Sequence, residues 1–221
     1  MQFRLQAPIG FKSVIIDGMH SVEQTQLQKI VPWVILIGGI VGLLASVGLT
    51  VDRVRLAESP DIALACDINP FLSCGSVVSM PQAEAFGIPN SLLGVAGFSG
   101  LAVVGAVLLA GATLQRWFWL CLGAASTAAL LFVFWLFQQT VYEIGVLCPY
   151  CIVVWIATIP VFWYVLLYLF DRQFLRLPSR LEKAFEWSKR HHMDVVAAVF
   201  LLMIGLISIQ FWDAWRAFYL G

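Results

Sequence analysis

Five stretches of this chain, at about 31–51, 91–113, 117–137, 152–170 and 195–211, contain no Asp, Glu, Lys or Arg. Each is near the ~20 residues needed to cross ~30 Å of hydrocarbon. With 61% hydrophobic and 12% charged residues in 221, no water-soluble core could hide so much apolar surface. The solvent for most of this chain is therefore lipid. Backbone groups in lipid must be satisfied within the segment, so the spans are helices and the fold class is all-α integral membrane. The fifth stretch is the shortest.

Lysine and arginine set the orientation. Arg4, Lys12 and Lys29 precede the first span, Arg116 lies between the second and third, and Arg172, Arg176, Arg180, Lys183, Lys189 and Arg190 lie between the fourth and fifth. With the N-terminus cytoplasmic these all fall inside, and only Arg53, Arg55 and Arg216 fall outside. That places the loop 52–90 and the turn 138–151 in an extracytoplasmic, oxidising compartment. Residues 1–30 lack the apolar centre and cleavage pattern of a signal peptide and read as a cytoplasmic extension. The basic segment 171–194 reads as a solvated elbow, although Leu181, Ala184, Phe185 and Ser188 stand at the spacing of an amphipathic interfacial helix. Short connections make the second, third and fourth spans antiparallel neighbours.

The loop 52–90 carries dense signals. Asp67-Ile68-Asn69-Pro70 reads as a turn. Ser79, followed three residues later by Gln82, fits an N-cap with its capping box, and Gly87 and Pro89 stop the short helix that follows. Ala83, Ala85, Phe86 and Ile88 give that helix an apolar face, so it lies on the bundle as a lid.

Four of the five cysteines fall into two pairs on the predicted outer face: Cys66 with Cys74, and Cys148-Pro149-Tyr150-Cys151. The C-x-x-C opens the fourth span, where Pro149 suits the first helical position and a helix N-terminus lowers a thiol's pKa. Cys148 is expected at the exposed polar edge, where it can exchange with another cysteine. Cys151 is expected one turn deeper, facing a membrane-embedded acceptor. Thiolate attack on a disulfide is the chemistry that such pairs support. As a staple, Cys66–Cys74 would contribute less than the ~3 kcal/mol of a 15-residue ring. Zinc is the other use of four cysteines, but the compartment and the membrane edge argue against it. All three histidines (His20, His191, His192) fall on the other face. Cys121, inside the third span, reads as a small packing residue.

These residues resemble the vitamin K epoxide reductase family in its bacterial form. The resemblance rests on Cys66 and Cys74, Ser79, Asn90 at the start of the second span, Cys148–Cys151 at the start of the fourth, and the stretch from Cys66-Asp67-Ile68-Asn69-Pro70 through Cys74-Gly75-Ser76 to Pro81-Gln82-Ala83-Glu84. It covers about 30–170. It implies a four-helix bundle over 31–170 around a quinone, with the segment 195–221 adding a fifth helix and a short tail. It also implies an active-site pair Cys148–Cys151, with Cys151 beside the quinone, and a shuttle pair Cys66–Cys74. Cys74 would form the mixed disulfide with Cys148, and Cys66 would take electrons from a thioredoxin-fold protein. Asn90 would bond a quinone carbonyl, although an N-cap role suits it equally. Ser79 would match the family's Ser/Thr after the shuttle cysteines. Animal members carry a Tyr four residues after the C-x-x-C; Trp155 stands there, and its indole N–H can also donate. Some bacterial members carry a fused thioredoxin-like domain, whereas this chain ends at Gly221, so a separate partner is expected.

The expected function is a thiol–disulfide oxidoreductase of the bacterial inner membrane. It would oxidise a periplasmic DsbA-like partner and pass electrons to ubiquinone or menaquinone. The DsbB type of oxidase places its C-x-x-C in the first outer loop, opposite to the order here. Reduction of vitamin K epoxide and a non-catalytic, disulfide-stapled subunit are the alternatives. A transporter or pump is disfavoured because the spans hold no ionisable residue apart from Cys121 and a few tyrosines.

Overall fold

The computed structural model describes residues 11–59, 62–175, 179–212 and 216. Helix α1 (Phe11–Glu58) joins residues 11–30 to the first span without a break; residues before 11 lie outside the described part. It also runs past the expected end of the span at 51, so Asp52 sits on a helix and not in the loop. The other long helices are α3 (Asn90–Leu109), α4 (Arg116–Gln138), α5 (Pro149–Asp171) and α7 (His192–Gln210). Five helices are thus long and apolar enough to span a membrane. Among the described residues there is no strand, only isolated bridges at Asn69–Leu72 and Leu72–Leu147.

α1 is the central post. It packs along α3 on one side and α5 on the other. The α1–α3 approach is made possible by glycine. A Cβ on Gly39 would stand 2.5 Å from Ala102 N, and one on Gly105 would stand 2.5 Å from Leu36 N. Small residues let helix backbones meet in lipid, where no hydrophobic effect drives them together. At the end remote from the paired cysteines, Val31 and Ile35 of α1 close against Val165, Leu167 and Leu169 of α5. Trp119 of α4 stacks there on Tyr168 at 4.0 Å.

α3 and α4 depart from the expectation of neighbouring antiparallel helices. They follow one another through a short turn, yet α3 leans on α1 and α4 on α5, and the two scarcely touch. The space that parts them is a cavity lined by both helices. Beyond Gln138 the backbone of α4 widens into a π turn (Gln139–Ile144) closed by Gly145 at φ 69°.

The segment between the fourth and fifth spans is also more ordered than a solvated elbow. It contains helix α6 (Ser179–Arg190). Lys189 Nζ meets Asp171 Oδ1 at 2.7 Å with both side chains buried, and Phe185 packs edge-on to Phe170 at 5.1 Å. An ion pair and an aromatic contact on one face dock the helix, which the run of basic residues concealed. α7 stands at the periphery. Its buried Met203, and Phe211 just beyond it, join the cluster under the cysteine loop, where Phe211 meets Phe71 edge-on at 6.4 Å.

Candidate active site: two cysteine pairs above a membrane cavity

Local hydrogen bonds shape the loop that carries the first pair. Asn69 Oδ1 accepts from Phe71 N (2.9 Å) and Leu72 N (2.8 Å), closing the predicted turn. Ser73 caps helix α2 (Cys74–Val78), its Oγ accepting from Ser76 N at 3.2 Å. Asp67 ties the two ends together: Oδ1 accepts from Ser73 Oγ (2.7 Å) and Gly75 N (3.1 Å), and Oδ2 from Leu64 N (3.3 Å). Partial burial opposes the charge on Asp67, but these bonds outweigh it and hold the carboxyl below its usual range. Cys66 and Cys74 are joined in a disulfide with Cα atoms 5.7 Å apart.

Two backbone bonds then bring the pairs together. Leu147 N donates to Phe71 O (2.8 Å), and Ser73 N donates to Leu147 O (2.9 Å). The residues next in sequence are Cys74 and Cys148, so this short parallel bridge sets their register. Cys148 Sγ lies 3.6 Å from Cys74 Sγ. Cys148 is the N-cap of α5 with Pro149 in the first turn, as the sequence suggests. A hydrogen bond from the Cys151 thiol is the main cause that lowers the Cys148 pKa. Burial opposes it, and the backbone N–H groups of Cys151 and Tyr150 at the helix start add to the lowering.

Exposure differs from expectation. Cys148 and Cys74 are fully buried and Cys66 is 6% exposed, so no member of this trio stands at an open polar edge. Leu64, Leu49, Leu56, Val77 and Tyr150 enclose them. Cys151 is half-buried and borders the cavity between α3 and α4. Cys121, expected to pack inside, lies exposed on the outer face of α4.

The cavity has a volume of about 570 Å³, within the ~300–1,000 Å³ of ligand pockets. Phe86, Phe98, Phe132, Val133 and Leu136 give it apolar walls, and Asn90, Gln82 and Gln139 supply polar groups. Gln82 Nε2 donates to Gln139 Oε1 at 3.4 Å, while Gln82 Oε1 is buried without a hydrogen-bond partner. A flat apolar ring with polar edges fits such walls beside a thiol. The segment after α2 covers this space as a lid, with Phe86 against Phe132 at 5.5 Å, but only Pro81–Glu84 is helical and it forms a 3₁₀ turn.

The other sequence candidates fall differently. Trp155 is buried, borders the cavity and packs edge-on to Phe137 at 5.2 Å. Asn90 also borders it, but its amide braces the lid: Nδ2 donates to Gln82 O (2.7 Å) and Oδ1 accepts from Ala85 N (3.2 Å). Pro89, not Asn90, takes the N-cap position of α3. The capping box at Ser79 does not form. Ser79 is the C-cap of α2, its exposed Oγ donates to Gly75 O at 2.8 Å, and Met80 precedes the 3₁₀ turn. Its hydroxyl is used by the turn behind it and does not line the cavity.

One residue escaped the sequence reading. Asp52 on α1 is 4% exposed, and its Oδ2 lies 3.3 Å from Cys66 Sγ. An acidic residue just after an apolar run reads as the start of a loop. The signal that α1 continues is Leu49 and Leu56, spaced to keep the same helix face in the cluster. The ligand atoms of Asp52, Cys66 and Cys74 lie within 4.8 Å of one another. Sulfurs bonded to each other offer no thiolate to a metal.

A search among curated proteins gives no match. Comparison with protein-family profiles matches residues 33–166, more than half of the chain, to the Vitamin K epoxide reductase family.

Proposed function

The chain belongs to the vitamin K epoxide reductase family, and from that premise we propose that it oxidises the dithiol of a thioredoxin-fold protein and delivers the electrons to a membrane quinone. Membership makes it a multi-pass membrane redox enzyme that works on quinones and disulfides. The finer reading assigns four roles. Cys66 receives the partner's thiolate, Cys74 carries the exchange inward, Cys148 meets it, and Cys151 faces the acceptor. The single observation that carries it is the 3.6 Å between Cys74 Sγ and Cys148 Sγ.

The steps balance as exchanges. The partner's thiolate attacks Cys66 Sγ and Cys74 leaves as thiolate; the partner's second thiolate then releases Cys66, so one disulfide has passed outward. Cys74 attacks Cys148 of a Cys148–Cys151 disulfide, and Cys151 leaves as thiolate beside the cavity. Cys66 then attacks Cys74, re-forming Cys66–Cys74 and releasing Cys148 at the start of α5. A quinone bound in the cavity would supply the acceptor for two electrons and two protons. Residues for holding it are Asn90, Trp155 and the Gln82–Gln139 pair, while the apolar walls exclude water. Because Cys66 and Cys74 are enclosed, the outward step requires the loop 62–73 to lift from Leu49, Leu56 and Tyr150. The reading includes an N-terminus on the cytoplasmic side of a bacterial inner membrane, the loops facing the periplasm, and a domain division at about residues 30, 170 and 194. Menaquinone and ubiquinone are both suitable acceptors.

The test is turnover. Purified protein is mixed with a reduced DsbA-like protein and a short-chain quinone, and quinone absorbance is followed. Loss of absorbance that requires both the dithiol and Cys151 supports the relay. Folded protein that turns over neither ubiquinone, menaquinone nor vitamin K analogues would put the stapled-subunit reading first.

A further inference from the structure

The contact between Asp52 and Cys66 poses a question of hydrogens. At 3.3 Å, Oδ2 and Sγ are close enough for a hydrogen bond whenever Cys66 is a thiol. A sulfur in a disulfide carries no hydrogen, so in the Cys66–Cys74 state the two atoms are simply in van der Waals contact. In the dithiol state Cys66 carries one and can donate it to the carboxylate.

Cys66 is 6% exposed and Asp52 is 4% exposed, so water does not reach the pair freely. Four groups face Asp52. Tyr150 at the start of α5 hydrogen-bonds to it; Cys74 lies across the disulfide; Cys148 lies close enough to feel its charge; and Arg55, on its own helix, has Nη1 at 3.8 Å from Oδ1. The Arg55 side chain is 59% exposed, so its charge is solvated and the ion pair is weak. A buried carboxyl with so little compensation is costly where it serves only packing.

We infer that Asp52 is the acid–base residue of the Cys66–Cys74 pair. It removes the proton of Cys66 as Cys66 Sγ attacks Cys74 Sγ in a Cys74–Cys148 bond. A new Cys66–Cys74 bond forms, the Cys74–Cys148 bond breaks, and Cys148 departs with the electron pair as thiolate. In the reverse step Asp52 returns the proton to Cys66 as it leaves. No proton passes to bulk water in either direction. The inference rests on the relay proposed above.

The relay can be run through one turnover without a partner. Fully reduced protein receives one equivalent of a short-chain quinone, which places the disulfide at Cys148–Cys151. Acid quench and peptide mass mapping then follow its passage through Cys74–Cys148 to Cys66–Cys74. In the parent, resolution of the Cys74–Cys148 bond is expected to be flat between pH ~6 and ~8, because a single shared proton is conserved across that range. In Asp52→Asn the mixed disulfide accumulates and resolves about 100-fold more slowly near pH 6, the scale of general-base catalysis. Its rate then climbs about tenfold per pH unit toward the ordinary thiol pKa of ~8.5. Asp52→Glu restores the flat profile. A parent rate that itself climbs tenfold per unit overturns the inference without any variant. So does an Asp52→Asn rate equal to the parent's, or one reduced equally at every pH. A reduced parent that never forms the Cys74–Cys148 bond removes the relay and this role together. A parent that relays normally beside an indifferent Asp52→Asn removes only the role of Asp52.

Discussion

Cys74 Sγ and Cys148 Sγ stand 3.6 Å apart although 74 residues separate them in sequence. The contact is imposed from the backbone, because Leu147 exchanges hydrogen bonds with Phe71 and Ser73 immediately before the two cysteines. The sulfurs sit just outside bonding distance, with both side chains buried.

That proximity predicts a trap. Replacing both Cys66 and Cys151 with Ser removes the two thiols that can resolve a Cys74–Cys148 bond. The Cys74–Cys148 bond should become a major species by non-reducing peptide mapping, against a trace in the parent. A double variant in which Cys74 and Cys148 stay unlinked under the same oxidation would contradict the assigned exchange between the pairs.

The acidity of Cys148 should be visible in its alkylation. Its thiol pKa is lowered, so thiolate persists as the pH falls below the ordinary ~8.5. In reduced protein with Cys66 and Cys74 replaced by Ser, the pH midpoint for iodoacetamide labelling of Cys148 should fall below that value. The hydrogen bond from Cys151 is the largest cause, so Cys151→Ala, which removes the donor, should move the midpoint upward. A midpoint at or above ~8.5 that ignores Cys151 counts against the geometry of the helix start.

Two glycines should fail in different ways. A Cβ at Gly39 meets backbone atoms of Ala102, so Gly39→Val forces α1 and α3 apart. Overpacking of this kind costs about 1–3 kcal/mol and lowers the unfolding midpoint in detergent. Gly97 borders the cavity and has no atom within 4 Å of its would-be Cβ. Gly97→Leu should keep its stability and fill cavity space, raising the KM for quinone about tenfold, or ~1.4 kcal/mol. Exchange between the cysteine pairs should be unchanged, which separates filling of the cavity from damage to the relay.

Lys189 and Asp171 form a buried pair at 2.7 Å, and the second carboxylate oxygen, Asp171 Oδ2, has no hydrogen-bond partner. Lys189→Met alone strands a buried charge and should cost about 3–5 kcal/mol of stability. The double replacement Asp171→Leu with Lys189→Met should return close to the parent, since a well-packed apolar pair avoids the desolvation of both charges. A double-mutant cycle read by thermal unfolding decides it. Equal losses in the single and double variants would mean that the pair does not anchor α6.

Much of this architecture was legible in order. The five spans follow from uncharged runs of bilayer length, because lipid forces each one to close its own backbone bonds. Cys148 as the start of α5 follows from Pro149, whose missing N–H and fixed φ suit a first helical turn. Cys66 with Cys74 is a neighbour pair closed by a turn at Asn69. Ser79 misled because Ser-x-x-Gln marks a helix start only where the backbone before it is free. Here the preceding turn, α2, had already claimed the hydroxyl through Gly75 O.

The sequence by itself determined the solvent, the number of spans and the grouping of four cysteines into two pairs. These depend on local composition and on groups a few residues apart. Tertiary structure alone decided which sulfur faces which, that the first pair is enclosed, that α3 and α4 part to leave a cavity, and that Asp52 reaches Cys66. Each of these depends on contacts between segments remote in sequence. The crossing of α1 with α3 at Gly39 and Gly105, and the bridge from Leu147 to Ser73, fix those contacts through space.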